Sequence, residues 1–96
     1  MNSFPGMNSA MFELRVHKEA FKFLGRCQPD DKDRVVSAVK KLCEDPFRWD
    51  LDVKKLHGQL AGLYRLRIGD IRVVYELDQP EQVITVHGIS CRGSSY

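Results

Sequence analysis

Residues 64–75 read YRLRIGDIRVVY, and apolar and polar side chains alternate along them on both sides of Gly69-Asp70. Alternation with a period of two, interrupted by a glycine-containing pair, is typical of two antiparallel strands joined by a tight turn. Arg65 and Arg67 then leave the first strand on one face, and the apolar residues beside them leave it on the other. Guanidinium groups are planar, permanently charged donors that match phosphate oxygens. The stretch therefore predicts a hairpin with one face that can be buried and one that can hold phosphate.

Upstream of this hairpin, the sequence predicts one strand and two helices. Residues 12–16 alternate as a short strand does. A first helix is predicted to open at His17 and to end at Gly25, which suits a C-terminal cap. A second helix has Asp30 as its N-cap and cannot continue past Pro46. Its apolar stripe recurs about every 3.6 residues and comprises Val35, Val36, Val39, Leu42 and Cys43.

Around and beyond the hairpin, three strands are predicted over residues 63–68, 71–77 and 83–90. Residues 47–62 lack periodicity and are predicted to form a connecting loop, with Trp49 as an anchor in the core. The order β-α-α-β-β-β predicts an α+β fold in which both N-terminal helices pack on one face of a twisted antiparallel sheet. The buried face of this sheet is predicted to carry Leu66, Ile68, Val73, Ile84 and Val86. The opposite face is left for function.

Length and composition predict one small, soluble domain. The chain has 96 residues, of which 43% are hydrophobic and 29% charged, an ordinary globular composition. Its apolar runs are too short to span a bilayer, so no membrane partner is expected. Residues 1–10 lack the pattern of a secretory signal and are predicted to be a disordered N-terminal extension. A cytoplasmic protein with one domain over residues 11–96 is therefore expected.

The charge of the chain is small but unevenly distributed. The net charge is only +2, yet residues 46–75 carry six Lys or Arg against three Asp, a local excess of +3. The three cysteines form no C-x-x-C pair, which argues against a disulfide scaffold and fits a reducing compartment. The three histidines are scattered along the chain, so neither a metal nor another cofactor is predicted.

Three segments in this order resemble the RelE/ParE superfamily of bacterial and archaeal toxins. They are Lys55-Leu56-His57-Gly58, the stretch over residues 62–75, and the ending Arg92-Gly93-Ser94-Ser95-Tyr96. The resemblance covers about residues 11–96 and implies a fold like that of microbial ribonucleases. For the RelE branch it implies a ribosome-dependent endoribonuclease that cuts mRNA in the A site. The ParE branch instead poisons DNA gyrase and generally lacks the catalytic arginine and tyrosine set.

The same resemblance implies roles for individual residues. Arg72 falls where RelE-type toxins place an arginine on the scissile phosphate, and Arg92 falls on the arginine after the last strand. We assign Arg92 to charge stabilisation. Tyr96 falls on the C-terminal tyrosine taken as the general base. Arg65 and Arg67 fall where RelE-type toxins place two basic residues on the strand after the loop, and we assign them to RNA binding. The family often has histidine before the arginine of the ending, whereas this chain has Cys91, whose role is open.

RNA can be cut without a metal when its own 2′-hydroxyl attacks the adjacent phosphorus, giving a 2′,3′-cyclic phosphate and a 5′-hydroxyl. Such a site needs a base, an acid and positive charge. Free tyrosine has a pKa of about 10, so Tyr96 needs nearby cations to act as the base at neutral pH. Lys54 and Lys55 are candidates for RNA binding. The acid is left open between these lysines and the arginines.

The resemblance also implies partners: a cognate antitoxin in a toxin–antitoxin hetero-oligomer, the ribosome and mRNA. Three functional hypotheses follow from the sequence. The chain is an RNA-cleaving toxin, a gyrase poison without nuclease activity, or a binding module that has lost toxicity.

Overall fold

The computed structural model describes residues 11–91, which form a sheet of five strands and two helices. In chain order the elements are β1 Glu13–Val16, α1 Lys18–Arg26, α2 Pro29–Glu44, β2 Asp52–Lys55, a 3-10 turn Gly58–Leu60, β3 Leu63–Ile68, β4 Ile71–Asp78 and β5 Val83–Cys91. The predicted extension over residues 1–10 and the predicted catalytic residues Arg92 and Tyr96 lie outside the described residues.

The strands lie in the order β1-β5-β4-β3-β2, and the predicted α+β fold with two helices on the sheet is confirmed. The pairing differs from a wholly antiparallel sheet because β1 runs parallel to β5, with Leu14 opposite Ile84. Parallel neighbours need a long connection, whereas a hairpin forces two strands to be antiparallel. β1 and β5 are joined by most of the chain and not by a hairpin, so they can pair in parallel. The other three strand pairs are antiparallel.

A fifth strand, β2, forms in the segment that was predicted to be a loop. It pairs antiparallel with β3, with Val53 opposite Leu66. The strand has four residues, three of them charged, and it lies at the edge of the sheet. Short, charged edge strands are common because they discourage pairing with other chains. Such strands show little of the alternation of apolar and polar residues from which a strand is predicted.

The helices differ from prediction at their ends. In α1 the side chain of His17 accepts a hydrogen bond from the Glu19 backbone N–H at 3.2 Å, which confirms the predicted start. Gly25 lies inside this helix, which continues to Arg26. In α2 the N-cap is Gln28 and not Asp30, because Pro29 at the first helical position is already preorganised for helix.

The core lies between the helices and one face of the sheet. Four predicted core residues of the sheet are 2% exposed or less, and Ile68 is half-buried. The fully buried side chains include Leu66, Val73, Ile84 and Val86, joined by Leu42 and Val35 of α2. Cys43 is also buried, and burial raises the pKa of its thiol to about 11, so it packs as a small hydrophobe.

The prediction for Trp49 is wrong: the residue is 94% exposed. It lies in the turn after α2, between Arg48 and Asp50, whose side chains pair with each other at 2.8 Å. The chain turns away from the sheet here before β2 rejoins it. Across residues 11–91, both helices are too short or too polar to cross a lipid bilayer.

Candidate functional site

The sheet face turned away from the helices carries the arginines of the hairpin. Leu66 and Val73 are opposite each other and buried beneath the helices, so their neighbours along each strand point the other way. Arg67 is directly opposite Arg72, and Arg65 is opposite Val74. We call this surface the open face; its residues include Asp52 and Lys54 of β2, Arg65 and Arg67 of β3, Arg72, Val74 and Glu76 of β4, and Thr85 and Gly88 of β5.

The two candidate lysines of β2 lie on different faces. Lys54 is opposite Arg65, and therefore belongs to the open face. Lys55 is opposite Tyr64, which stacks on the buried Tyr75 with ring centroids 5.6 Å apart. Lys55 thus leaves β2 on the helix side. Lys55 was predicted to bind RNA together with Arg65 and Arg67, but it lies on the opposite face of the sheet from them.

Arg65 is the most firmly held of the three arginines. Its Nη2 donates a hydrogen bond to Asp52 at 3.2 Å, and its side chain is only 21% exposed. Its Nε is buried without an acceptor among the described residues. A buried donor without a partner costs about 1–3 kcal/mol. Arg65 is therefore kept against the sheet in a position that folding alone does not favour.

Arg67 and Arg72 form a pair of like charges across two strands. Arg67 Nε donates to the Gly69 carbonyl at 3.4 Å, and Arg72 makes no ion pair with any residue over 11–91. Like charges directly opposite in a sheet are destabilising. An anion bound between the two guanidinium groups relieves that repulsion.

Next to the arginines, β5 contains a bulge. Val74 is opposite Gly88 and Tyr75 is opposite Val86, so His87 has no partner in the ladder. The His87 Nε2 donates to Glu76 Oε1 at 3.1 Å. Bulges often re-aim a side chain beside an active site. Sequence reasoning missed this pair, although a signal exists: apolar residues alternate at Ile84 and Val86 and then resume only at Ile89.

The floor between these charged groups is apolar and unobstructed. It consists of Val74 and, on the neighbouring strand, Gly88. A methyl group added to Gly88 would meet nothing within 4 Å. The open face therefore has room at its centre for a group that lies directly against the sheet.

Tyr75 is buried at 1% exposure on the helix side of the sheet. Burial, and secondarily the neighbouring Tyr64, raise the pKa of its phenol above the ordinary value. The ring stays protonated and away from the open face, so it is a packing residue. Among the described residues, no group of three or more His, Cys, Asp or Glu is arranged to hold a metal ion.

An apolar groove lies on the other side of the molecule, between the helices and the β1 edge of the sheet. Its lining includes Leu14, Val16, Leu24, Val35, Val36 and Val39, together with Lys40. Leu14 and Val36 are each 42% exposed. The molecule thus has a cationic face and, behind the sheet, an exposed apolar groove.

Known proteins resemble this chain in sequence and fold. Residues 14–96 match the family described as the ParE toxin of type II toxin–antitoxin systems. A Methanocaldococcus jannaschii protein named RelE1 is 29% identical over 86 residues, which cover 88% of this chain and 94% of that protein. A chain of the archaeal RelE–RelB complex from Pyrococcus horikoshii is 30% identical, with a TM-score of 0.75, covering 88% of this chain and 99% of that one.

More distant structures share the fold alone. A chain of the toxin–antitoxin complex RelBE2 from Mycobacterium tuberculosis has a TM-score of 0.77 at 23% identity, covering 90% of this chain and 97% of that one. By its fold and its candidate site, the chain is a small α+β protein with one cationic sheet face. Since the family match spans most of the chain, the chain belongs to the RelE/ParE superfamily of type II toxin–antitoxin toxins.

Proposed function

We propose that the chain is a ribosome-dependent endoribonuclease of the RelE type, which cleaves mRNA in the A site and inhibits translation. The observation that carries the proposal is the convergence of Arg65, Arg67 and Arg72 on one face. Three cations fixed on a rigid sheet form a preorganised site for phosphates.

Cleavage proceeds without a metal in this proposal. Arg72 contacts the scissile phosphate, and Arg92 stabilises the negative charge that grows on the phosphorane. Tyr96 takes the proton of the 2′-hydroxyl, whose oxygen attacks phosphorus in line with the departing 5′-oxygen. The products are a 2′,3′-cyclic phosphate and a 5′-hydroxyl. Arg65, Arg67 and Lys54 bind neighbouring phosphates of mRNA or ribosomal RNA.

The end of β5 supports the roles of Arg92 and Tyr96. Ser90 is opposite Arg72 in the ladder, and Cys91 is opposite Ile71. β5 therefore ends beside Arg72, and Arg92 directly follows it in the sequence.

A cognate antitoxin is the second part of the proposal. The apolar groove behind the sheet, with its exposed Leu14 and Val36, suits the apolar side of an antitoxin segment. Acidic residues of the same antitoxin can neutralise the open face. The toxin and the antitoxin form a hetero-oligomer in the cytoplasm, where the ribosome is found.

One observation favours the alternative of a ParE-like gyrase poison: the matching family is described as the ParE toxin. The two functions differ in the molecule that is broken. A nuclease yields cut messages with 5′-hydroxyl ends, whereas a gyrase poison leaves messages intact and traps gyrase on cleaved DNA.

The test is expression of the full chain and of Tyr96→Phe in a purified translation system, with a parallel reaction of gyrase and plasmid DNA. We expect messages with new 5′-hydroxyl ends from the wild type, little cleavage from Tyr96→Phe, and no linear plasmid from either. Trapped gyrase with intact messages contradicts the proposal. Cleavage that persists in Tyr96→Phe removes the base assignment only.

A further inference from the structure

We propose that His87, positioned by Glu76, is the general acid of this reaction and donates a proton to the departing 5′-oxygen. The inference rests on the proposed nuclease function and adds a role that the arginines and lysines fill poorly. A guanidinium holds its proton, with a pKa above about 12, whereas an imidazolium releases one near neutral pH.

The histidine lies at the floor of the open face. Val74 is at the centre, with Arg65 opposite it on β3 and Gly88 opposite it on β5. His87 directly precedes Gly88 in the bulge. Both side chains of the pair remain accessible, at 40% exposure for His87 and 54% for Glu76.

Distances along the sheet place the pair within reach of a phosphate held by arginine. Arg72 and Glu76 are each two residues from Val74 on the same strand, or about 7 Å at a rise of about 3.4 Å per residue. Arg65 is a diagonal neighbour of both, a separation of about 7–8 Å that long side chains bridge. A phosphodiester on the Val74 and Gly88 floor thus lies between the guanidinium groups and the imidazole.

The hydrogen bond to Glu76 uses Nε2 of His87 and leaves Nδ1 for the substrate. Nε2 is engaged with the carboxylate, and within the described residues Nδ1 has no partner. When the imidazole is protonated, Nδ1–H is the donor that is left for the substrate. Glu76 is the positioning residue, since its carboxylate contacts Nε2 and so orients the ring.

The proton and electron movements balance. The 2′-hydroxyl gives its proton to the base, and its oxygen forms a bond to phosphorus. The bond between phosphorus and the 5′-oxygen breaks, its electron pair stays on that oxygen, and the oxygen takes the Nδ1 proton of His87. His87 is left neutral, with Nε2–H still bound to Glu76, and regains a proton from solvent.

Folding gives little reason for this pair to exist. Exposed ion pairs typically contribute about 0–1 kcal/mol, and the bulge that presents His87 interrupts the ladder. A comparable exposed pair joins Arg15 and Glu13 at 3.0 Å on β1, the strand beside β5. Glu13 is opposite Val83, four residues along β5 from His87, and provides a matched control.

The experiment compares two messages in a purified translation system: one with a normal linkage at the A-site codon, and one with sulfur in place of the departing 5′-oxygen. Thiolate leaves without a proton, so it needs no acid. We expect His87→Gln in the full chain to cut the normal linkage about 10²–10⁴-fold more slowly. On the sulfur linkage it should cut at close to the wild-type rate.

Two further variants sharpen the result. Glu76→Gln should show a smaller loss with the same rescue by sulfur, and the control Glu13→Gln should cut both linkages like the wild type. His87→Gln that is equally slow on both linkages, or unimpaired on the normal one, overturns the inference. The inference is also overturned if the sulfur linkage restores the cleavage rate of Tyr96→Phe and not that of His87→Gln, since Tyr96 would then be the acid. A wild type that cuts neither linkage removes the proposed function itself, and the inference with it.

Discussion

At the scale of single residues, the open face shows repulsion that a fold selected only for stability would avoid. Arg67 and Arg72 face each other directly, and Arg65 faces Lys54 on its other side. Asp52 is opposite Arg67, but its carboxylate pairs with Arg65. Only Arg65 has an acidic partner among the three arginines within residues 11–91. The arrangement is costly for the free protein and favourable for an anion, as expected of a binding site.

Removing one of the facing charges should therefore stabilise the protein. We expect Arg72→Gln to raise the free energy of unfolding by about 0.2–1 kcal/mol, because it relieves the repulsion from Arg67. The gain should shrink at high salt, which screens exposed charges. Urea denaturation at two salt concentrations measures both effects.

The control is Arg26→Gln in the last turn of α1, where a cation is favourable at the helix C-terminus. This variant should be slightly less stable than the wild type. A loss of stability in Arg72→Gln would show that Arg67 and Arg72 do not repel each other in the folded protein.

At the scale of elements, the hairpin of β3 and β4 was predictable because its alternation is unbroken on both sides of the turn. The turn itself depends on Gly69, whose φ of 60° lies in the left-handed region. A Cβ there would also meet the guanidinium of Arg34 from α2, the flexible end of a side chain that can move.

Gly69→Ala should lower the free energy of unfolding by about 1–2 kcal/mol, the usual cost of a left-handed residue with a Cβ. Gly25→Ala is the matched control, since Gly25 lies in α1 with open space around it. The control should be more stable by about 0.5–1 kcal/mol, as alanine is in helices. Urea denaturation of both variants gives the comparison, and destabilisation of both would contradict this view of the turn.

Other elements escaped prediction for physical reasons. β2 is short and charged, and only its pairing with β3 makes it a strand. The bulge at His87 shifts the alternation of β5 by one residue, so a strict period of two cannot place the side chains beyond it. Trp49 was assigned to the core by its type alone, although its place in a turn decides its exposure.

The candidate site was partly accessible from sequence. Alternation puts Arg65 and Arg67 on one face of their strand. The two-residue turn at Gly69-Asp70 sets the register of the next strand, which places Arg72 on the same face. Alternation could not separate Lys54 from Lys55 without the register of β2. The contact of Glu76 with His87 depends on the pairing of β4 with β5, which a single sequence does not specify.

At the scale of the whole molecule, the sheet separates two surfaces. Its open face carries the cations, and the apolar groove lies behind it among the helices and β1. A substitution in the groove can weaken antitoxin binding without changing the cations of the open face. Inhibition and catalysis should therefore respond to different substitutions.

Val36→Glu should weaken binding of the cognate antitoxin at least about tenfold, which corresponds to about 1.4 kcal/mol, since it puts a charge into an apolar contact. Cleavage by the free toxin should not change. Leu60→Glu is the control, because Leu60 is 49% exposed and lies outside the groove. Titration calorimetry measures both affinities, and equal affinity of Val36→Glu and the wild type would remove the groove as the docking site.

The central claim is that the open face cuts RNA, and it is tested most directly by primer extension on a defined message in a purified translation system. Wild type, Arg72→Gln and the helix control Arg26→Gln are compared at equal concentration. We expect cleavage at the A-site codon by the wild type and by Arg26→Gln, and a loss of at least about a hundredfold in Arg72→Gln. Equal cleavage by all three proteins would show that the open face is not the site of RNA cleavage.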